Sequence, residues 1–184
     1  MNKSILAVGL VIIAVAMITF VVIDHQSAHI NQTGSKGMKI SSIAFKNDTA
    51  IPQRYGCTGE GANPPLEFEQ VPSATESLAL VVDDPDAPSG TFDHWVLWNL
   101  PATLREVPEN WEPEPGVSVG TNGMGKNSWY PPCPPSGTHH YHFKLYALDG
   151  KLDLAEGSNK GELEKAMEGH IVARAELVGT FAKP

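Results

Sequence analysis

Three of the chain's seven histidines fall within four positions, in the stretch Pro131-Pro132-Cys133-Pro134-Pro135-Ser136-Gly137-Thr138-His139-His140-Tyr141-His142-Phe143. Imidazole can donate, accept or carry charge near neutral pH, and it is also a common ligand of transition metals. Metal chemistry is therefore the first candidate. In a strand, His140 and His142 share one face and resemble a zinc-ligating pair, but a third ligand is needed and Lys144 stands beside them. No metal site is expected. The same alternation puts His139, Tyr141 and Phe143 on the opposite face, so the triple histidine divides into one plus two.

Two further clusters carry chemistry. In Asp83-Asp84-Pro85-Asp86-Ala87-Pro88, two prolines fix φ and halt a ladder, so three carboxylates project from a stiff turn. They read either as caps of a solvated turn or as part of a site. In Asp93-His94-Trp95-Val96-Leu97-Trp98-Asn99, strict alternation puts His94, Val96 and Trp98 on one face and Asp93, Trp95 and Leu97 on the other. His94 reads either as a hydrogen-bonded core residue or as a ligand. If His94, His139, Tyr141 and the aspartates meet, they make a small polar pocket suited to anions. A histidine whose second nitrogen is held by a carboxylate keeps a defined proton and can donate, with a tyrosine hydroxyl and backbone N–H groups, to phosphate or carboxylate oxygens. Binding through cationic histidines implies an affinity that falls as pH rises through about 6.5.

The elements that must position these residues are short strands. Residues 77–84 (SLALVVDD) form a near-continuous apolar run, as in a strand buried on both faces. Residues 39–45, 92–100, 140–148 and 171–181 read as further strands, separated by proline-rich loops. One helix is expected near the end, where Asn159-Lys160-Gly161-Glu162 matches the capping pattern and Leu163, Ala166 and Met167 recur at helical spacing up to Gly169. The fold class is mainly β, and residues 39–184 form one domain.

Ahead of it, Ile5 to Ile23 are nineteen residues without a charge, enough to span a bilayer core at roughly 1.5 Å per residue. Lys3 precedes them and Asp24 follows, so an uncleaved single-pass anchor is expected over 1–23, with a cytoplasmic N-terminus and an extracytoplasmic domain. The alternative is a cleaved signal that releases the domain to the periplasm or the medium. Residues 24–38 are polar and aperiodic and read as a tether. The net charge of −8 and the lack of a basic cluster exclude binding to nucleic acid by phosphate neutralisation. In an exported domain the two cysteines, Cys57 and Cys133, are either a disulfide or two buried thiols.

Asp84-Pro85-Asp86-Ala87-Pro88, His94-Trp95-Val96-Leu97-Trp98-Asn99 and Pro134-Pro135-Ser136-Gly137-Thr138-His139-His140-Tyr141, in that order, resemble the phosphatidylethanolamine-binding protein family, also called Raf kinase inhibitor-like proteins. Tyr55 to Leu66 and the terminal helix and strand, Leu163 to Thr180, are similar to the bacterial and archaeal branch. The resemblance runs from Lys39 to Phe181. It implies a large central antiparallel sheet, a smaller flanking sheet, a helix near the C-terminus, and a small pocket for phosphate, acetate-like anions or phospholipid head groups. By motif, it implies carboxylates at Asp84 and Asp86, histidines at His94 and His139, tyrosine at Tyr141 and a backbone amide at Cys133. It also implies a structural role for Cys57 and Cys133. The chain departs from the family at Gly123 and Met124, where Asp and Phe are usual, and at Ser128-Trp129-Tyr130-Pro131, where Gly-Tyr-Gly-Gly is common.

The expected function is a membrane-tethered binding protein with an anion pocket and no cofactor. The alternative is an inhibitor or regulator of an extracytoplasmic protease or kinase-like signalling partner. A hydrolase using the Asp/His pairs is a third reading, weakened because no nucleophile elbow and no phosphate-binding glycine loop is present.

Overall fold

The structure, a computed structural model, describes residues 37–183. The expected anchor over Ile5–Ile23, and most of the expected tether, lie outside the described residues. Among the described residues, no helix is long and apolar enough to cross a membrane. Met38, at the end of the expected tether, is buried in the core.

The strands are β1 (Lys39–Ser41), β2 (Thr49–Ala50), β3 (Leu66–Glu69), β4 (Ser77–Asp84), β5 (Phe92–Pro101), β6 (Glu106–Val107), β7 (Ser118–Val119), β8 (Thr138–Leu148) and β9 (Ile171–Ala182), and helix α1 spans Lys160–Ala166. They build a six-stranded sheet in the order β2-β9-β8-β4-β5-β7 and a three-stranded sheet in the order β1-β3-β6. All pairings are antiparallel except β2 with β9.

β4 lies at the centre and is buried along its whole length, as its unbroken apolar sequence requires. Its even residues Leu78, Leu80 and Val82 face the small sheet, where they join Ile40, Leu66, Phe68 and Val107. Its odd residues Ala79 and Val81 face α1, with Val96, Trp98, Leu163 and Met167. The molecule is thus layered as small sheet, large sheet and helix, and burial of both faces of the large sheet is the main stabilising term.

The first strand is shorter than its sequence suggests. Ser42 Oγ donates to the Pro65 carbonyl at 2.6 Å and accepts from the Ala44 N–H at 3.1 Å, so side-chain bonds displace the ladder. Ile43 is left exposed.

The helix begins as its sequence dictates. The Asn159 side chain accepts from the Glu162 N–H at 3.0 Å, and Glu162 Oε2 accepts from the Asn159 N–H at 2.9 Å. Asn159→Ala is expected to cost about 1 kcal/mol, read as a lower urea midpoint of the full chain at an unchanged slope. The helix stops at Ala166, before the expected Gly169, with Met167 as its C-cap.

Candidate functional site

The end of β4 and the starts of β5 and β8 meet at one edge of the large sheet, because the three strands are antiparallel neighbours. Loops close over this edge and leave a cavity of about 380 Å³. Asp84, His94, Cys133, His139 and Tyr141 all line it.

Each acidic residue of the 83–86 turn has its own partner. Asp84 Oδ2 accepts from His139 Nδ1 at 2.7 Å, and its other oxygen accepts from the Asp86 N–H at 2.8 Å. Both side chains of this pair are buried. Asp83, one residue earlier and on the other face, accepts from Lys144 Nζ at 2.8 Å and Lys160 Nζ at 2.6 Å.

Asp86 departs from expectation, since it does not line the cavity. Its Oδ2 accepts from the backbone N–H of His140 at 2.8 Å and from His140 Nδ1 at 2.7 Å, and these bonds hold its carboxyl below the usual range. The physical reason is alternation on β8: His140 points away from His139, and the aspartate that follows it leaves the cavity. His142, on the same face, pairs with Glu176 at 2.8 Å.

His94 reaches the cavity by a route that strict alternation does not give. Val82 pairs with Trp95 and Asp83 with Asp93, so His94 is the extra residue of a bulge in β5. The bulge reverses the expected faces. Asp93 joins Val96 and Trp98 on the helix side, 3.3 Å from Lys160, while His94 joins Trp95 and Leu97 on the side of Tyr141.

The tautomer of His94 follows from its partner. Nδ1 lies 2.7 Å from the Tyr130 carbonyl oxygen, which can only accept, so Nδ1 carries the proton and Nε2 of the neutral ring is a bare lone pair. Burial pushes the His94 pKa down, against the opposing pull of the Tyr130 carbonyl and of Asp84, Asp83 and Asp93. The ring is neutral at pH 7.

The Tyr141 hydroxyl is buried and has no hydrogen-bond partner. Burial, and then the charge of Asp84, push its pKa well up. The Cys133 backbone opposes that rise. An unmade bond at a buried hydroxyl costs about 1–3 kcal/mol, and an acceptor in the cavity would satisfy it.

Cys57 and Cys133 form a disulfide, with Cα atoms 5.4 Å apart. The Cys57 N–H also donates to the Pro132 carbonyl at 3.0 Å, so the proline loop is tied to the 53–61 segment twice. Cys133 therefore offers the cavity its backbone rather than a thiol.

The rim is aromatic. Phe92 lies 4.9 Å from the His94 ring and 5.5 Å from Tyr130, centroid to centroid. A Cβ on Gly123 would stand 2.5 Å from Phe92 Cε2, so glycine at this position is what lets Phe92 close in. Tyr130, whose carbonyl fixes His94, is the functional residue the sequence did not reveal. A backbone acceptor leaves no trace in residue type.

The chain combines a three-layer β-fold with a loop-covered cavity at the end of its central strands, the architecture of a binding protein. The chain belongs to the phosphatidylethanolamine-binding protein family, whose profile matches residues 41–182. A UPF0098 protein of Pyrococcus abyssi is 46% identical over 158 residues, covering 82% of this chain and 88% of the relative. A UPF0098 protein of Methanothermobacter thermautotrophicus is 44% identical over 150 residues, covering 79% and 99%. Among solved structures, a phosphatidylethanolamine-binding protein homologue from Chlamydia trachomatis has a TM-score of 0.77 at 40% identity, over 80% of this chain and 99% of that one. YbcL of Escherichia coli, described as a member of the mammalian family, has a TM-score of 0.74 at 26% identity with the same coverage.

Proposed function

We propose that this protein binds a small anion, a phosphate, a carboxylate or a phospholipid head group, in the cavity between His94, His139 and Tyr141, and that it does so without turnover. The observation that carries this reading is the buried Tyr141 hydroxyl without a partner, facing a cavity lined by two imidazoles whose Nδ1 atoms are already committed. With Nδ1 held, each ring has only Nε2 to offer. A proton there makes two N–H donors that, with the tyrosine O–H, converge on one acceptor. Asp84 takes the part of an orienter for His139 and makes no contact with the anion. The family's description as phosphatidylethanolamine-binding supports a head-group phosphate as one form of the ligand.

The apolar run over 5–23 supports a chain tethered to the cell membrane with its domain on the extracytoplasmic side. The disulfide supports the same compartment, since such bridges persist where the surroundings are oxidising.

Calorimetric titration of the full chain with sodium sulfate, sodium acetate and phosphatidylethanolamine vesicles tests the pocket and separates free anions from a lipid source. His139→Ala is expected to lower sulfate affinity at least tenfold, because a donor is lost and the Asp84 carboxylate is left unpaired beside the anion. Tyr141→Phe is expected to lower it about fivefold, the worth of one neutral hydrogen bond. Equal affinity in all three proteins would contradict the pocket, and sustained His139-dependent release of product from phosphoesters would contradict binding without turnover.

A further inference from the structure

A second cavity of about 530 Å³ lies behind the first, lined by Trp95, Trp111 and Trp129 and by Glu112, Glu114 and Glu156, with no Lys, Arg or His in its wall. The two cavities share a partition. His94 and Tyr130 face the first, while the next residue in one direction, Trp95, and the previous residue in the other, Trp129, face the second.

Three indoles line this cavity together. Trp95 is the buried floor. Trp111 stands at 70° to it with centroids 6.1 Å apart, and Trp129 stands at 69° with centroids 5.6 Å apart. The walls are fixed before any ligand arrives. The Trp129 indole N–H donates to the Gly61 carbonyl at 3.0 Å. The Trp111 backbone N–H donates to Asn63 Oδ1 at 2.8 Å, and buried Asn63 in turn donates to the Pro108 carbonyl at 2.8 Å.

Indole faces carry a negative quadrupole and attract cations, most strongly soft, poorly hydrated ammonium ions, when several rings surround the charge. Three glutamates at the same opening add long-range attraction of the same sign. An anion would be repelled here, and a neutral alcohol would gain no long-range attraction from the glutamates.

We infer that this indole-lined acidic cavity is a binding site for an organic ammonium cation, of the alkylated or quaternary class, separate from the anion cavity. Such ions bind through the indoles, and the glutamates of the rim set the preference for charge.

Tetramethylammonium chloride is the probe, titrated into the full chain in non-ionic detergent and followed by indole fluorescence, with sodium chloride at matched ionic strength as the blank. A saturable change is expected, absent with tert-butanol, a neutral molecule of similar size. Trp111→Ala is expected to weaken binding about tenfold. The surface double variant Glu112→Gln/Glu114→Gln, which leaves the core untouched, is expected to weaken it about threefold. His139→Ala is expected to leave it unchanged, which separates this site from the anion cavity whatever that cavity does. The inference is overturned if no saturable change occurs, if tert-butanol binds as well as the cation, or if Trp111→Ala and the glutamine variant both bind as the parent does.

Discussion

Replacing Cys57 and Cys133 together by serine is expected to remove about 4.5 kcal/mol of stability, the chain-entropy value for a bridge closing a loop of this length. The two residues are 76 apart in sequence, so the unfolded chain without the bridge gains a large set of open conformations. The folded state also loses one of two ties between the proline loop and the 53–61 segment, the other being the bond from the Cys57 N–H to Pro132. Because Cys133, Pro134 and Pro135 line the cavity beside His94 and His139, the loss should appear at the rim as well as in the melt. Equilibrium unfolding of the full chain, oxidised, reduced and in the double serine form, measures it. A difference below about 1 kcal/mol would show that the bridge constrains little beyond what the strands already hold.

The second large effect concerns a buried charge beneath the site. Asp83 is fully buried, and its Oδ2 is held by Lys144 and Lys160. Burial alone would lower the Lys160 pKa, but Asp83 and Asp93 outweigh it and the net shift is upward. The ammonium is therefore charged and committed. Removing both lysines, as Lys144→Met/Lys160→Met, strands a carboxylate without a cation and is expected to cost about 3–5 kcal/mol. Asp83→Asn is expected to cost clearly less, because both lysines reach solvent in part and can swing outward when their partner is neutralised. The order of the two variants in urea unfolding is the test. Equal losses would mean that the ion pair acts only through packing.

These two features frame how much of the molecule could be read from residues alone. The SLALVVDD run of β4, the capping box at Asn159 and the alternation of β8 are local signals, and each one appears in the fold as its pattern dictates. The division of the three histidines is legible for the same reason: period two sends His139 and Tyr141 inward and His140 and His142 outward. His94 was not legible in this way. Its orientation depends on a bulge opposite Val82 and Asp83, which is a property of two paired strands and has no mark in one of them. Asp86 illustrates a related limit, since a turn brings it close to the cavity while its carboxylate is claimed by His140. The pairing of the cysteines likewise depended on whether two distant loops meet. The resemblance to relatives located the cavity, and the structure supplied what each side chain in it is already bonded to.

The bond from His94 Nδ1 to the Tyr130 carbonyl governs how an anion could be held as proposed. Neutral His94 presents a lone pair from Nε2, which would repel an anion. Anion binding as proposed therefore requires the ring to gain a proton, and an anion beside it supplies the stabilisation that burial removes. By linkage, the pKa of His94 is low in the empty protein and higher in the complex, so anion affinity rises as pH falls through the window between the two values. The window extends below the ordinary histidine value of about 6.5, where binding that depended on already cationic histidines would have stopped strengthening.

The most direct measurement is the sulfate affinity of the full chain from pH 5 to pH 8, since sulfate does not itself titrate there. An affinity that increases toward low pH, by up to about tenfold per unit for each proton taken up, is expected, with a shallower slope in His94→Gln. An affinity flat across the range, or one that strengthens as pH rises, would contradict it.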